Sequence, residues 1–227
     1  MIGDKLQQVQ ARIVTACTAA GRDPASVHLL AVSKNFDADA VRQALEADQR
    51  AFGENYVQEG VAKIEALAAL RGSIEWHCIG PLQSNKTRVV AANFDWVHSI
   101  DRLKIAERLA EQRPAELPPL QVCLQVNVDG GANKSGVAPS ELLALARGVA
   151  ALPRLRLRGL MAIPEPAEGF EAQRALFMRA RALFDQLRDA GLALDTLSLG
   201  MSADLEAAVA AGSTMVRIGT AIFGSRS

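Results

Sequence analysis

A lysine at the end of an apolar run is the residue in this chain best suited to covalent chemistry. Lys34 directly follows residues 28–33 and precedes Asn35, Phe36 and Asp37. An aliphatic run of this length that ends in a helix-start signal indicates a buried strand leading into a helix. Burial of a lysine is costly unless its ammonium is paired, and a desolvated neutral amine can form a Schiff base with an aldehyde. The alternative is a side chain that extends to the surface and has no chemical role.

Two segments near the carboxyl terminus could bind phosphate. Residues 200–204 include Ser202, whose type predicts an N-cap for a helix beginning near Ala203. In residues 217–221, Gly219 allows a close approach of the backbone and Thr220 supplies a hydroxyl. Each segment follows a strand-like run, and two helix starts aimed at one point would offer backbone N–H donors and positive dipole ends to a phosphate.

Two further polar side chains could contact the rest of a cofactor. Arg217 lies two residues before Gly219 and therefore on the same alternating face of its strand. A carboxylate could satisfy it in a structural ion pair, or it could face a cofactor ring nitrogen, as Asp or Arg does in pyridoxal phosphate enzymes. Asn55 could donate to a ring hydroxyl or cap the helix that follows it.

The remaining polar residues give weaker indications. No two of the three histidines, His28, His77 and His98, have the spacing of metal ligands, and we interpret them as core or rim residues. Residues 86–88 are basic and are predicted to form a solvated helix face. The three cysteines are too few and too scattered for a disulfide framework, which indicates a reducing compartment.

The elements that must position these groups alternate along the chain. Eight strand-like runs are predicted, at residues 28–33, 50–53, 75–79, 96–99, 120–128, 155–161, 196–199 and 214–218. Helical spacing occurs at residues 39–47, 57–70, 101–112, 139–151, 171–190 and 203–211, and residues 5–20 form a further helix ahead of the first strand. This α/β alternation predicts a parallel sheet, and eight strands favour a closed TIM (β/α)8 barrel over an open doubly wound sheet. The barrel would use residues 1–227 as a single domain.

Composition excludes several classes of protein. The chain has 227 residues, of which 49% are hydrophobic and 22% charged, so a sizeable core is expected. Lysine plus arginine and aspartate plus glutamate both number 25, so no net charge attracts nucleic acid or an anionic membrane. The amino terminus lacks an apolar signal segment. We therefore expect a cytoplasmic protein without a nucleic-acid or membrane partner.

Several longer segments resemble one family throughout the chain. They are residues 31–34, 52–59 and 76–86, followed by Lys134 to Gly136 and by residues 158–164 and 212–224. In this order they resemble the YggS/PROSC family of pyridoxal phosphate homeostasis proteins. Two departures are small: Leu199 stands where the family often has Met, and residues 129–133 form an unusually glycine-rich loop.

The resemblance implies a fold and a set of cofactor contacts. The fold would be the barrel of the alanine racemase amino-terminal domain, which is the fold type III arrangement. Lys34 would form the internal aldimine with pyridoxal 5'-phosphate and Arg217 would face the pyridine nitrogen. The other expected contacts are Ser202, Gly219 and Thr220 at the phosphate and Asn55 beside the ring.

The resemblance also implies a non-catalytic carrier that buffers and delivers pyridoxal phosphate, with apoenzymes as transient partners. An arginine at the ring nitrogen disfavours protonation there and weakens the ring as an electron sink. The alternative, an amino-acid racemase, needs a second base, and the only tyrosine is Tyr56. A third reading is an aldolase-like barrel that uses Lys34 on a sugar phosphate. Without the second domain of the racemase dimer, the chain is expected to be a monomer.

Overall fold

The computed structural model of this chain describes residues 1–130 and 135–225. Eight strands form one closed barrel in the order β1 to β8, and β8 pairs with β1. Every pairing is parallel. The strands are β1 His28–Val32, β2 Ala51–Glu54, β3 Glu75–Cys78, β4 Trp96–Ile100, β5 Leu120–Gln125, β6 Leu155–Met161, β7 Thr196–Ser198 and β8 Met215–Ile218. The predicted TIM-type barrel is confirmed, and the open sheet is excluded.

Nine α-helices surround the strands in the described part of the chain. They are α1 Ile2–Ala19, α2 Ala38–Glu46, α3 Val57–Ala66, α4 Thr87–Asn93, α5 Leu103–Gln112, α6 Leu142–Ala150, α7 Phe170–Asp189, α8 Leu205–Ala210 and α9 Thr220–Phe223. Helix α1 precedes the first strand, as predicted. It buries Leu6, Val9 and Ile13 along one face, and it contacts α8 and α9.

Some predicted elements end earlier than expected. The run at residues 120–128 ends as a regular strand at Gln125: Val126 still donates to the carbonyl oxygen of Met161 and also forms an isolated bridge with Val137. The stretch at 57–70 ends as an α-helix at Ala66 and continues as the 3-10 helix Ala68–Ser73, a common way to tighten a helix end.

The barrel interior is less apolar than its outer layer. The main hydrophobic cluster lies between the strands and the helices, whereas two small clusters fill the inside of the barrel. They consist of Leu30, Val32, Ile79 and Met215, and of Trp96, Cys123 and Met161. Polar residues share this interior: His77, His98, Ser198 and Arg217 are all buried. The interior therefore holds groups that must satisfy one another.

Residues 1–130 and 135–225 lack two kinds of feature. None of the helices there has the length and apolar character needed to cross a membrane. The same residues contain no group of three His, Cys, Asp or Glu side chains arranged to hold a metal ion. Most of the glycine-rich loop at 129–133, and Lys134 of the resemblance, lie outside the described residues.

Candidate functional site

The predicted site residues meet at the carboxyl-terminal end of the barrel. Lys34 lies two residues beyond β1, and β1 lies between β2 and β8. Leu30 of β1 pairs with Arg217 of β8. A Cβ atom on Gly219 would lie 3.2 Å from the carbonyl oxygen of Val32, so glycine lets the end of β8 approach the end of β1 closely.

Lys34 is held in place by its neighbours and not by a partner of its own. Its side chain is half-buried, and it forms no ion pair or hydrogen bond with any residue in 1–130 or 135–225. Asn35, the next residue, has a φ of 65°, in the left-handed region that only a few per cent of non-glycine residues adopt. The tight turn directs the chain away from β1 immediately after the lysine.

A largely buried group of side chains fixes the backbone on both sides of Lys34; we call it the Lys63 cluster, and it consists of Ser33, Glu54, Glu59 and Lys63. Lys63 of α3 donates to the carbonyl oxygen of Ser33 at 2.7 Å, to Glu54 Oε1 at 2.7 Å and to Glu59 Oε1 at 2.8 Å. Ser33 Oγ donates to Glu54 Oε1, and the backbone N–H of Asn35 donates to Glu59 Oε1. All three donors of the Lys63 ammonium are thus used, and they hold the residues before and after Lys34.

Two opposing effects act on the pKa of Glu54 in this cluster. Glu54 has no exposed surface, and burial raises the pKa of its carboxyl while Lys63 opposes that shift. The cluster was not predicted from the sequence. The four-residue spacing of Glu59 and Lys63 on α3 was the available signal, but it is typical of an exposed helical ion pair.

Arg217 is buried and retains unused donors. Its Nη1 donates to the carbonyl oxygen and to the Oγ of Ser198, both at 2.7 Å, and its Nη2 donates to the carbonyl oxygen of Ala162 at 3.2 Å. These bonds use three of the five guanidinium N–H groups. Burial lowers the pKa of Arg217 to about 10, so it stays charged at neutral pH. Within the described residues no carboxylate forms an ion pair with it, so the structural ion pair is excluded there.

The phosphate side of the site contains two hydroxyls. Thr220 Oγ1 lies 3.3 Å from Ser202 Oγ, which brings the segments after β7 and β8 together. Helix α1 supports this arrangement because Arg12 Nη2 donates to the carbonyl oxygen of Ser202 at 3.0 Å.

The predicted N-cap role of Ser202 is wrong. Helix α8 begins at Leu205 with Asp204 as its N-cap, because residues 202–204 form a turn, and Asp204 Oδ1 accepts the N–H of Met201.

Asn55 does not cap the following helix. Helix α3 begins at Val57 and its N-cap is Tyr56, so Asn55 lies one residue too early to cap it. The Asn55 side chain is half-buried and has no hydrogen-bond partner among residues 1–130 and 135–225. A Cβ atom on Gly80 would come within 2.1 Å of the Asn55 carbonyl oxygen, so the end of β3 supports the Asn55 backbone closely. This position leaves the amide free to contact a ligand.

Of the other sequence predictions, those for the histidines are confirmed and one for the basic stretch is wrong. His77 and His98 are fully buried in the core, whereas His28 is exposed at the rim, as predicted. The solvated face expected at residues 86–88 is wrong at Thr87, which is buried and whose hydroxyl is satisfied by donating to the carbonyl oxygen of Ser84. The three cysteines are buried and free.

Comparison with known proteins identifies the family. The family model of the alanine racemase amino-terminal domain matches residues 5–227. The chain is 62% identical over 225 residues to the pyridoxal phosphate homeostasis protein of Pseudomonas aeruginosa, covering 99% of this chain and 96% of that protein. It is 56% identical over 226 residues to the protein of the same name from Escherichia coli, covering 99% and 97%.

Solved structures agree with this assignment. PipY of Synechococcus elongatus, solved with pyridoxal phosphate bound, superimposes with a TM-score of 0.87 at 38% identity and covers 99% of this chain and 100% of its own. Alanine racemase from Corynebacterium glutamicum, at 20% identity and a TM-score of 0.66, shares the fold over 97% of this chain and 61% of that one. The chain belongs to the YggS/PROSC family of pyridoxal phosphate homeostasis proteins.

Proposed function

We propose that this chain binds pyridoxal 5'-phosphate through Lys34 and acts in pyridoxal phosphate homeostasis as a carrier. When bound, this cofactor supplies an aldehyde that condenses reversibly with a primary amine, with loss of water. The observation that carries the proposal is Lys34 itself: an amine without a partner in the described residues, fixed on both sides by the Lys63 cluster. A lysine kept only for stability would be expected to pair with a carboxylate.

The surrounding residues fit the rest of the cofactor. Ser202 and Thr220 offer two hydroxyls close together for a phosphate, and Gly219 leaves room for it beside the end of β1. Arg217 retains N–H donors for a ring nitrogen acceptor. Asn55 offers an amide without a described partner. The relatives' name and the ligand of PipY support the same ligand class.

We further propose that the chain is not a racemase. Arg217 keeps its charge at neutral pH and would oppose protonation of a ring nitrogen, which weakens carbanion stabilisation. Tyr56, the only tyrosine, has 55% of its surface exposed and lies at the start of α3, an unsuitable position for a shielded second base. A reversible bond to Lys34 is sufficient for storage and for transfer to apoenzymes. An assay of alanine racemisation by the loaded protein should show no turnover above the free cofactor.

The direct test is reduction of the linkage. We expect the purified chain, after addition of pyridoxal phosphate, to absorb visible light, and borohydride to bleach that band. Peptide mass analysis should then locate one reduced pyridoxyl group on Lys34. A protein that stays colourless and unmodified would refute the proposal and would favour the aldolase-type use of Lys34. A label on a different lysine would refute the assigned residue.

A further inference from the structure

A continuous row of hydrogen bonds crosses the interior of the barrel. Glu75 Oε1 lies 2.8 Å from His77 Nε2, and His77 Nδ1 lies 2.8 Å from His98 Nε2. His98 Nδ1 lies 3.0 Å from Ser198 Oγ, which accepts from Arg217 Nη1 at 2.7 Å. The row begins at Glu75, the first residue of β3, and ends at Arg217 of β8. We call these five side chains the barrel relay.

The relay connects solvent at one end of the barrel to the candidate site at the other. The Glu75 side chain is 50% exposed, whereas His77, His98 and Ser198 have no exposed surface. Trp96 fixes the ring plane of His77 by stacking on it, with the ring centroids 5.1 Å apart and the planes 12° from parallel. Stacking and burial therefore oppose a flip of the His77 ring, which would put carbon atoms in place of Nδ1 and Nε2 at these two hydrogen bonds.

The chemistry of the two end groups requires every hydrogen bond of the relay to donate in the same direction, from Arg217 towards Glu75. A guanidinium can only donate, and an ionised carboxylate can only accept. The hydrogen bond from His77 lowers the pKa of Glu75, and burial lowers the pKa of His98 well below its ordinary value, so Glu75 is ionised and His98 neutral at pH 7.

The positions of the protons on Ser198, His98 and His77 follow from the chemistry of Glu75 and Arg217. Ser198 Oγ accepts from Arg217 and donates its own proton to His98 Nδ1. His98 then carries its proton on Nε2 and donates to His77 Nδ1, and His77 donates from Nε2 to Glu75. The reverse order with a neutral His77 would set the lone pair of Nε2 against the carboxylate. It would also leave the Ser198 hydroxyl without an acceptor among the described residues.

We propose that Glu75, His77, His98 and Ser198 are positioning residues for the cofactor site, acting as a one-directional relay that holds the Arg217 guanidinium. This inference rests on the proposed function, because Arg217 acts there on the cofactor ring. Aligned hydrogen bonds polarise one another, so the charge of Glu75 strengthens each acceptor along the row, including Ser198 Oγ. Arg217 is thereby held by Nη1, and its remaining donors keep a fixed direction. A change at the solvent end should therefore alter cofactor binding at the opposite end.

The relay can be tested first in the protein without cofactor. The chain has only three histidines, and exposed His28 serves as an internal reference. In a protein labelled with ¹⁵N-histidine, we expect His77 and His98 both to be in the Nε2–H form at pH 7, with the His28 signals assigned by His28→Gln. An Nδ1–H form of either buried histidine, or a protonated His98, would overturn the relay whether or not the chain binds a cofactor.

A matched pair of variants tests the positioning role. Glu75→Gln removes the charge at the start of the relay. Asp195→Asn is the control, because Asp195 has a similarly exposed carboxylate, bound to Arg158, and directly precedes β7 but lies outside the relay. We expect Glu75→Gln to increase the release rate of pyridoxal phosphate by about 3- to 10-fold and to shift the visible band, and Ser198→Ala to do so by about 10-fold or more.

The Asp195→Asn variant should release pyridoxal phosphate at the wild-type rate and keep the wild-type spectrum. Indistinguishable spectra and release rates for wild type, Glu75→Gln and Asp195→Asn would overturn the positioning role. Cys123→Ala controls for general loosening of the interior, since Cys123 lies in the barrel without a part in the relay. Equal increases in the release rate for Cys123→Ala and Ser198→Ala would also count against the positioning role. If the wild-type chain binds no pyridoxal phosphate, the proposed function and this role both fail, while the histidine spectra still report whether the relay exists.

Discussion

At the scale of single residues, the candidate site depends on one amine that is held and left without a partner. Ser33 and Asn35 are both hydrogen-bonded to the Lys63 cluster, so the backbone of Lys34 is restrained while its side chain is available. A restrained backbone reduces the conformational entropy lost when the side chain bonds to a ligand. Covalent capture and stability are therefore carried by different lysines, Lys34 and Lys63.

Replacement of Lys34 should separate function from fold. We expect Lys34→Ala to abolish covalent retention of pyridoxal phosphate, measured as loss of the reducible visible band. Its thermal midpoint should stay close to wild type because no hydrogen bond or ion pair of the side chain with a described residue is removed. Lys104→Ala, at an exposed position on α5, should retain the cofactor fully. Unfolding of Lys34→Ala would contradict a purely functional lysine.

Loss of the phosphate contacts is expected to weaken retention of pyridoxal phosphate without preventing its bond to Lys34. In the double variant Ser202→Ala and Thr220→Ala, two hydroxyl donors to the phosphate are lost while Lys34 is untouched. Each such bond to a charged group contributes about 1.5–3 kcal/mol, so cofactor release should be at least 10-fold faster. Dialysis of the loaded protein, with its visible absorbance read at intervals, would measure the rate of cofactor release. Release at the wild-type rate would remove the phosphate assignment.

At the scale of elements, α3 connects to the ends of β1 and β2 through a buried ion pair. Lys63 on α3 reaches Glu54, the last residue of β2, and the carbonyl oxygen of Ser33 just beyond β1. Glu54 Oε2 is buried and has no hydrogen-bond partner among the described residues. The carboxylate therefore depends on Lys63 for most of its stabilisation.

Loss of Lys63 should destabilise the whole chain. We expect Lys63→Met to lower the free energy of unfolding by about 3–5 kcal/mol, because the Glu54 carboxylate would stay buried without a counter-ion. Urea denaturation monitored by tryptophan fluorescence would measure this. The double variant Lys63→Met with Glu54→Gln should recover much of the loss, since no uncompensated charge remains. A double variant no more stable than the single one would show that the charge is not the cause.

At the scale of the whole molecule, closure of the barrel creates the interior in which His98 is buried. Its neighbours there are His77, Ser198 and Arg217. Burial favours the neutral imidazole most, and the positive charge of Arg217 acts in the same direction. Because the pKa of His98 is lower in the folded chain than in the unfolded one, the unfolded chain takes up a proton first as the pH falls.

This difference predicts acid sensitivity. The contribution of His98 to stability is fully present above the pKa of an unfolded-state histidine, about 6.5, and is lost as the pH falls below it. From pH 6.5 to pH 5 the free energy of unfolding should fall by up to about 1.4 kcal/mol per pH unit. Urea midpoints at several pH values should show this slope in wild type and in His28→Gln, and a smaller slope in His98→Asn. Equal slopes in all three proteins would refute the assignment.

The alternation of strands and helices was readable from the sequence because each element obeys a local rule. Aliphatic runs such as the one before Lys34 predicted strands, and the apolar spacing in α1 predicted a helix. Local rules failed where a tertiary contact decided the outcome. Strand β5 ends at Gln125, just before Val126 forms an isolated bridge with Val137, and the turn through Asp204 delays the start of α8.

Residue types and short spacings were enough to predict the repeating α/β pattern, the position of Lys34 after a strand and the family resemblance, because none of these depends on contacts between distant residues. The tertiary structure alone decided which distant residues meet. It brings Ser202 to Thr220 and Lys63 to Ser33, and it arranges the barrel relay from Glu75 to Arg217. Apart from Glu75 and His77, which are two positions apart, these contacts join residues separated by between 18 and 100 positions along the chain. Only closure of the barrel sets such distances, because no local propensity encodes them.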